Sequence, residues 1–479
     1  MRCGVSVRRL GGLLLAGLVA ACTVGPDYRP DDMALPDTWT EAQPEQRKAA
    51  AERLRAWWAS FQDPLLDRLI AQAIADNDDI KIARQRLIQA RAERAIAGSV
   101  DYPQIKGNAG RSNANSSTTV TYPPGIGQYH TWEMGFDASW ELDIFGGTRR
   151  AEEAADAEIG ASVQDRRGIL VSLLAEVASD YAGLRASQLR LAIADHNIAA
   201  AQQALDLTEL QLQRGLGTEL EVAQAKAQRE TLEAGPPSLR AAVARASHAI
   251  ALLVGQFPGD LEAELSKPVP LMAVPMDLPV SLPSEVVANR PDIQRAERRY
   301  AAATARIGAA TAELFPHFSI PLTFEPTSSA VHTLFLAKSI NWSIGVALSG
   351  TVYDGGRTDA RIVSARAAAE TARLTYEQTV RGAFRDVEDA LINYRTETER
   401  QVKLQAAAAD SDIARQRATK LFGAGLTDFL KVLDTERSAF AAEDLAAQSR
   451  LAQLQDVIAL FKALGGGWQS ATFDDAPMP

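Results

Sequence analysis

The chain has 479 residues, of which 46% are hydrophobic and 23% charged, and its formal net charge at pH 7 is −10. An acidic chain without a basic patch does not suit nucleic acid, so we exclude that partner. A chain of this length usually holds roughly two to four domains, but an internal duplication accounts for most of this one.

Residues 1–21 are predicted to be a secretory signal peptide. Three arginines precede an apolar stretch over residues 10–21, which is too short to span a membrane as a helix. The stretch closes with Val19-Ala20-Ala21-Cys22, which resembles a bacterial lipobox and predicts lipidation of Cys22, with anchoring in the membrane. Thr23 rather than aspartate follows, which by the same resemblance favours the outer membrane. The alternative is a chance cysteine beside an ordinary cleavage site.

The mature chain depends on packing rather than on disulfides. Cys3 leaves with the signal peptide, so only Cys22 remains and no intrachain disulfide can form. Removal of the three arginines leaves 47 basic and 60 acidic residues, a net charge of −13.

Two halves of the mature chain repeat one pattern of strand, strand, very long helix, turn and helix. Its landmarks recur at offsets of 209 to 213 residues: Tyr102-Pro103 as Phe315-Pro316, Gly146-Gly147 as Gly355-Gly356, and Gly215-Leu216 as Gly425-Leu426. Each copy is a whole supersecondary unit, so this is not a short-period solenoid. We expect the two halves to be pseudo-equivalent parts of one assembly.

The strand pairs are predicted at 102–145 and 315–353, each with a polar hairpin loop. Apolar and polar residues alternate in four segments. The first, Ile105 to Asn113, is weak; the apolar faces of the others are Trp132, Met134, Phe136, Ala138, Trp140, Leu142 and Ile144, then Phe318, Ile320, Leu322 and Phe324, then Ile340, Trp342, Ile344, Val346, Leu348 and Val352. This pattern fits transmembrane β-strands, and half-buried strands of a soluble sheet are the alternative.

Four strands cannot close a barrel in lipid. The smallest transmembrane barrels have about eight strands, and an open edge leaves backbone groups unpaired. Several chains must therefore share one barrel, with three chains supplying twelve strands and two chains supplying eight.

Long helices are predicted after each strand pair, at 148–214 and 218–255 in the first repeat and at 357–422 and 427–464 in the second. A helix of about 65 residues rises ~100 Å, and apolar residues in steps of four and three mark coiled-coil seams. Gly215–Gly217 and Gly423–Gly425 supply the turns. Pro236-Pro237 breaks the first return helix.

Catalytic chemistry is missing from the sequence. The five histidines show no H-E-x-x-H spacing, and there is no Walker loop and no G-x-S-x-G elbow. We therefore predict no enzyme activity, no cofactor and no metal site. A lipid-anchored periplasmic hydrolase and a structural envelope coiled coil remain as alternatives to a membrane duct, and the four alternating strands count against both.

Several motifs resemble those of the outer-membrane factor (TolC-like) family of tripartite efflux systems, especially its lipoprotein subgroup. Together they cover nearly all of the mature chain: Cys22-Thr-Val-Gly-Pro-Asp-Tyr28, Trp140-Glu-Leu-Asp-Ile-Phe-Gly146, Arg290-Pro-Asp-Ile293, Tyr353-Asp-Gly-Gly-Arg357 and Gly425-Leu-Thr-Asp-Phe-Leu-Lys-Val-Leu-Asp-Thr-Glu-Arg437. The resemblance implies a mainly α fold with a membrane β-barrel, in which a homotrimer forms twelve strands and a long periplasmic α-helical barrel.

The same resemblance implies how the chain is divided. An equatorial collar would be formed by the N-terminal segment 22–76, the connector 256–290 and the C-terminal tail 465–479. The structural repeats would be 77–255 and 291–464.

The resemblance also implies a periplasmic gate near the second turn. It assigns the apolar constriction to Leu430 and the acidic ring to Asp434, with Asp428 and Arg437 as polar latches between neighbouring helices. Asp434 paired with Lys431 or Arg437 as a solvated coiled-coil charge is the alternative. Where relatives can carry an acid this chain has Lys431, and its counterpart in the first half, Glu221, suggests a Glu221–Lys431 aperture pair.

The implied function is passive conduction out of the envelope, since the sequence shows no energy source. An inner-membrane pump, of RND type, and a periplasmic adaptor would drive transport. By resemblance, Gly215, Leu216, Gly425 and Leu426 at the two turns would meet the adaptor.

Overall fold

A computed structural model describes residues 23–30, 33–41, 54–119, 127–275 and 283–471. The signal peptide and Cys22 lie outside these ranges. The chain divides into two compact units, one built from 1–32, 86–163 and 295–377 and the other from 33–85, 164–294 and 378–479. We call them the strand unit and the helix unit.

Ten α-helices and six strands lie within the described ranges. The helices are α1 (Pro64–Asp76), α2 (Asp78–Gly98), α3 (Gly147–Gln213), α4 (Glu219–Glu233), α5 (Pro236–Leu253), α6 (Glu262–Leu265), α7 (Pro283–Asn289), α8 (Pro291–Ala312), α9 (Arg357–Gly423) and α10 (Phe429–Ala463). The strands are β1 (Gln104–Ser116), β2 (Gly127–Leu142), β3 (His317–Phe324), β4 (Thr327–Ser328), β5 (Trp342–Ile344) and β6 (Ala347–Ser349).

The strand unit holds one antiparallel sheet in the order β1-β2-β3-β5, in which β4 pairs with β2 and β6 with β3. The β1–β2 register runs from Gln104 opposite Ser139 to Ser116 opposite Gly127. Strand β2 then pairs with β3 from Leu142 opposite Phe318 to Phe136 opposite Phe324. The two repeats therefore contribute to one continuous sheet.

The fourth predicted strand differs from the expectation because it is interrupted. Instead of one segment reaching Val352, the structure has the short strands β5 and β6, which keep a single register against β3. Gly345 N donates to Pro321 O at 3.1 Å. Pro321 has no N–H to return the second bond of that pair, so the ladder breaks there.

The long helices α3 and α9 have 67 residues each. The first return helix is divided into α4 and α5, as Pro236-Pro237 predicted. Since neither proline can donate a backbone hydrogen bond, the ladder of α4 cannot continue across them.

The core of the helix unit packs its long helices against apolar residues of 54–73 and 261–272. The predicted seam residues Val177, Tyr181 and Leu184 are fully buried, as is Val387 on α9. Aromatic residues belong to the same core, where the rings of Trp57 and Phe461 stack with 5.1 Å between their centroids. The predicted mainly helical fold is confirmed, and apolar seams between helices hold this unit together.

Candidate functional site

The two turns of the helix unit, residues 214–218 and 424–428, have the same backbone geometry. Leu216 N donates to Gln211 O at 2.9 Å, and Leu426 N donates to Leu421 O at 2.9 Å. Gly215 and Gly425 have φ angles of 72° and 73°, a left-handed conformation that glycine adopts without a side-chain clash. Each turn is a Schellman motif that ends a long helix. The two repeats therefore have equivalent backbone hydrogen bonds at this point.

Both turns present a leucine to solvent. Leu216 is 77% exposed and Leu426 is 74% exposed. The two glycines have open space around the position of a missing Cβ. The residues predicted to meet an adaptor thus form accessible apolar points at the turns.

The helices that follow the two turns, α4 and α10, begin with different N-caps. Thr218 accepts a bond from Glu221 N, and the Glu221 carboxylate accepts one from Thr218 N at 2.8 Å, which completes a capping box. At the equivalent place, Asp428 Oδ1 accepts a bond from Lys431 N at 3.0 Å. Asp428 therefore serves the start of α10 within its own turn.

The predicted gate residues lie on the first turns of α10. Leu430 is 63% exposed. Asp434 lies one helical turn further on and makes an ion pair with Lys431, with 3.6 Å between Nζ and Oδ2. Glu221 and Lys431 have separate partners within the chain, since Glu221 closes the capping box and Lys431 faces Asp434.

Arg437 connects neighbouring helices. Its Nε donates to Gln228 Oε1 at 2.8 Å, which links α10 to α4. Gln228 is a buried residue of α4. The contact joins the two return helices about two and a half helical turns beyond Asp428.

A compact apolar cluster supports the exposed residues. Phe422 and Phe429 contact across the second turn with ring centroids 5.5 Å apart. Further buried members come from four helices: Ala204, Leu205, Ala225, Ala418, Val432 and Leu433. This cluster packs next to the two turns, while Leu430 and Leu426 remain outside it.

Two residues near this site were missed by the sequence analysis. Leu220 is 66% exposed and is the repeat counterpart of Leu430, so the 210-residue offset could have identified it. Glu436 is only 2% exposed. Burial raises the pKa of its carboxyl from 4.5 to about 7, opposed by the positive charge of Arg415. Its seam spacing from Val432 marks it as an acid at a core position.

Two further features bear on function in the described residues: groups that could bind a metal, and helices that could span a membrane. No group of three or more His, Cys, Asp or Glu side chains in those ranges could hold a metal ion. Over the same part of the chain, the helices lack the combination of length and hydropathy needed to cross a membrane.

Comparison with known proteins gives consistent matches. The outer membrane efflux protein family matches over residues 69–256 and 282–466. The cation efflux system protein CusC of Escherichia coli O6:H1 is 30% identical over 457 residues, covering 94% of this chain and 97% of CusC. The probable outer membrane lipoprotein SilC of Salmonella typhimurium is 29% identical, covering 95% and 97%.

Solved structures agree with these relatives. The outer-membrane channel OprN superimposes with a TM-score of 0.87 at 36% identity, and the match covers 94% of this chain and all of OprN.

Proposed function

Since this chain belongs to the outer membrane efflux protein family and is the outer-membrane exit duct of a tripartite efflux system, we propose that three copies share one twelve-stranded barrel. It is a channel and not an enzyme. The supporting observation is the sheet of the strand unit, which is open at both sides, at β1 and at β5 with β6. An open edge in lipid leaves N–H and C=O groups unpaired, so neighbouring copies must supply the missing partners.

The exposed strand faces support a barrel in lipid. Trp342 and Ile344 on β5, and Phe136 on β2, are exposed large apolar side chains. Ser343 on β5 lies opposite Thr323 on β3, and both residues belong to the other face of the sheet. An apolar outer face and a polar inner face are what a transmembrane barrel requires.

Cysteine cross-linking between the sheet edges tests the number of chains. Cysteines scanned along β1 are combined with Ser343→Cys on β5, in a mature chain whose single native cysteine is Cys22. We expect one register to give a covalent ladder that ends at three chains, and neither single variant to cross-link. A ladder that ends at two chains would indicate an eight-stranded dimer and contradict the trimer.

Members of this family work with a periplasmic adaptor and an inner-membrane pump. For this chain we propose a pump of RND type, with the adaptor contacting both turns at Gly215-Leu216 and Gly425-Leu426. The exposed leucines at equivalent positions support this contact, because two similar apolar points suit two similar hairpins of a partner.

The proposed gate combines Leu430 with Asp434, next to Lys431. Three symmetry-related copies would place an apolar ring and a ring of Asp434–Lys431 pairs about one axis. The internal pair supports a less acidic constriction than three free carboxylates, since each charge has a partner 3.6 Å away. Asp428 acts as a helix cap and Arg437 as the link between return helices.

Lipidation of Cys22 is proposed as the anchor, with the helical part in the periplasm. The residues after Cys22 support it, because they pack within the strand unit: Val24 N donates to Phe145 O at 3.1 Å, and Arg150 contacts Asp27 at 2.7 Å. These contacts hold Thr23 and Val24, the residues that follow the proposed anchor, beside the end of β2. Cys22→Ala should lose acylation in a palmitate-labelling assay, and labelling that persists in this variant would contradict the lipoprotein assignment.

A further inference from the structure

The apolar face of the sheet, which the proposed barrel turns toward lipid, carries an arginine on β1. Directly opposed residues of antiparallel strands share a face, so Arg111 and its partner Trp132 lie on the same face as Phe136, Phe324 and Trp342. At the other positions of this face, the described strands have no further Arg and no Asp, Glu or Lys. A charge among lipid-facing side chains requires either a partner of opposite charge or a place at the membrane surface.

The position of Arg111 along the sheet corresponds to the outer surface of the membrane. Strand β2 ends at Leu142, shortly before helix α3 begins at Gly147, so this end of the sheet is the periplasmic one. Trp132 lies ten residues away on β2, roughly 34 Å along the strand and about 25 Å along the membrane normal at a tilt of about 40–45°. The apolar band of such barrels is about 25 Å tall. Arg111 therefore lies where the acyl chains of the outer leaflet meet their headgroups.

The guanidinium group of Arg111 is held in place and keeps its hydrogen-bond donors. Its Cζ lies 5.1 Å from the centroid of the Trp132 ring, a cation–π contact. Within the described residues this is the one side-chain interaction of Arg111, and no carboxylate there pairs with it. The side chain is exposed. A planar guanidinium over a ring still presents N–H groups at its edge, which match two oxygens of a phosphate.

Beyond Arg111 and Trp132 the same face becomes polar. Asn113 lies opposite His130, and the next pair outward is Asn115 with Gln128. All four residues are exposed. Their amide and imidazole groups donate and accept hydrogen bonds, which suits the hydroxyl groups of a sugar. A cation beside such groups fits a headgroup that combines phosphate with sugar.

We propose that Arg111, seated on Trp132, binds a phosphate of lipid A, the phosphorylated glycolipid of the outer leaflet, while Asn113 and His130 contact its sugars. The inference rests on the proposed barrel and adds a lipid-binding site to its outer wall. Each copy of the chain carries one such site. The occupant is a lipid of the surrounding membrane and not a molecule that passes through the duct.

Competition for fluorescent lipid A on the full-length oligomer, in a neutral detergent, tests the proposal. The competitors are lipid A, lipid A whose phosphates a phosphatase has removed, phosphatidylglycerol and inorganic phosphate. We expect intact lipid A to compete at least tenfold better than each of the others, the effect of charge-assisted hydrogen bonds made together with sugar contacts. Equal competition by the dephosphorylated form would overturn the phosphate contact. Equal competition by phosphatidylglycerol or inorganic phosphate would overturn the glycolipid as the occupant.

A variant on each face of β1 provides the matched control. Arg111→Gln removes the cation on the lipid-facing side and should bind lipid A about tenfold more weakly, with little preference for the phosphorylated form. Lys106→Gln removes the same charge from the same strand, but Lys106 lies on the other face, opposite Asp137. It should bind like the wild type. Equal weakening in both variants, or an Arg111→Gln variant that still prefers phosphorylated lipid A, would overturn the site.

The yield of heat-modifiable oligomers distinguishes a failure of this site from a failure of the barrel. Wild-type oligomers that form normally but hold lipid A no better than Arg111→Gln would overturn the lipid site and leave the barrel standing. A wild type that forms no such oligomers would overturn the barrel and the lipid site together. The competition by dephosphorylated lipid A uses only the wild type, so it decides the phosphate contact even if Arg111→Gln fails to assemble.

Discussion

Leu220 and Leu430 occupy the same position in the two repeats, as the second residue of the helix that follows each turn, and they are 66% and 63% exposed. Their surroundings differ in charge, because the next residue is Glu221 in the first repeat and Lys431 in the second. Glu221 is used in a capping box, whereas Lys431 pairs with Asp434. The repeat thus supplies a matched control for each change at the proposed gate.

Two substitutions distinguish the capping role of Asp428 from an effect of its charge. Asp428→Ala removes the acceptor for Lys431 N and should lower the stability of the start of α10 by about 1 kcal/mol. Asp428→Asn keeps a capping oxygen and should preserve the thermal midpoint. If Asn and Ala destabilise equally, the charge acts as a latch and the cap is of minor importance.

The two faces of β5 should respond differently to charge. Trp342→Arg or Ile344→Arg places a cation toward lipid and should cost about 2–4 kcal/mol near the midplane in every copy. Ser343→Arg, on the alternate face, is the control and should assemble normally. Assembly is measured by the yield of heat-modifiable oligomers. Equal yields from all three variants would show that the faces are wrongly assigned.

Glu436 predicts a dependence of stability on pH. The pKa of the Glu436 carboxyl is raised from 4.5 to about 7 in the folded chain. The stability that this carboxyl contributes is therefore fully present below pH 4.5, where it is protonated in both the folded and the unfolded chain, and is lost as the pH rises through 7. The expected loss in the free energy of unfolding is on the order of 3 kcal/mol, at about 1.4 kcal/mol per pKa unit.

Glu436→Gln should therefore come closest to the wild type at pH 4 and unfold at a clearly higher temperature than the wild type at pH 8. Glu443→Gln on the same helix is the control. A difference between wild type and Glu436→Gln that does not change with pH would contradict the assigned burial of this carboxyl.

The turn leucines give a sharper test of adaptor contact than the glycines. Gly215 and Gly425 have positive φ angles, so a larger residue there would strain the turn itself. Leu216→Glu with Leu426→Glu changes only exposed side chains and should weaken adaptor binding at least tenfold, with normal oligomer yield. Leu210→Glu, exposed on α3 before the first turn, is the control. Undiminished adaptor binding by the double variant would place the contact elsewhere.

Much of this architecture was predictable because local chemistry determines it. The turns follow from Gly215 and Gly425, the helix break from Pro236-Pro237, and the seams from heptad spacing. The channel function was also predicted, and the relatives confirm it. The break between β5 and β6 was not predicted, because it depends on which residue stands opposite Pro321.

The site was less predictable than the fold. The capping box at Thr218 and the Lys431–Asp434 pair involve residues three apart and are readable from spacing. In contrast, the link from Arg437 to Gln228 joins residues 209 positions apart, and the burial of Glu436 depends on how α10 packs in the folded chain. Such contacts arise only when the tertiary structure is formed.

Single-channel conductance in planar lipid bilayers tests most directly whether the second repeat closes the duct. Leu430→Ala with Asp434→Ala removes an apolar side chain and a charge from every copy, while the buried seam of α10 is unchanged. We predict that this variant conducts several times more current than the wild type, whereas the matched Leu220→Ala with Gln224→Ala does not. Equal conductance of the two double variants, or a second-repeat variant that conducts like the wild type, would contradict the gate at Leu430 and Asp434.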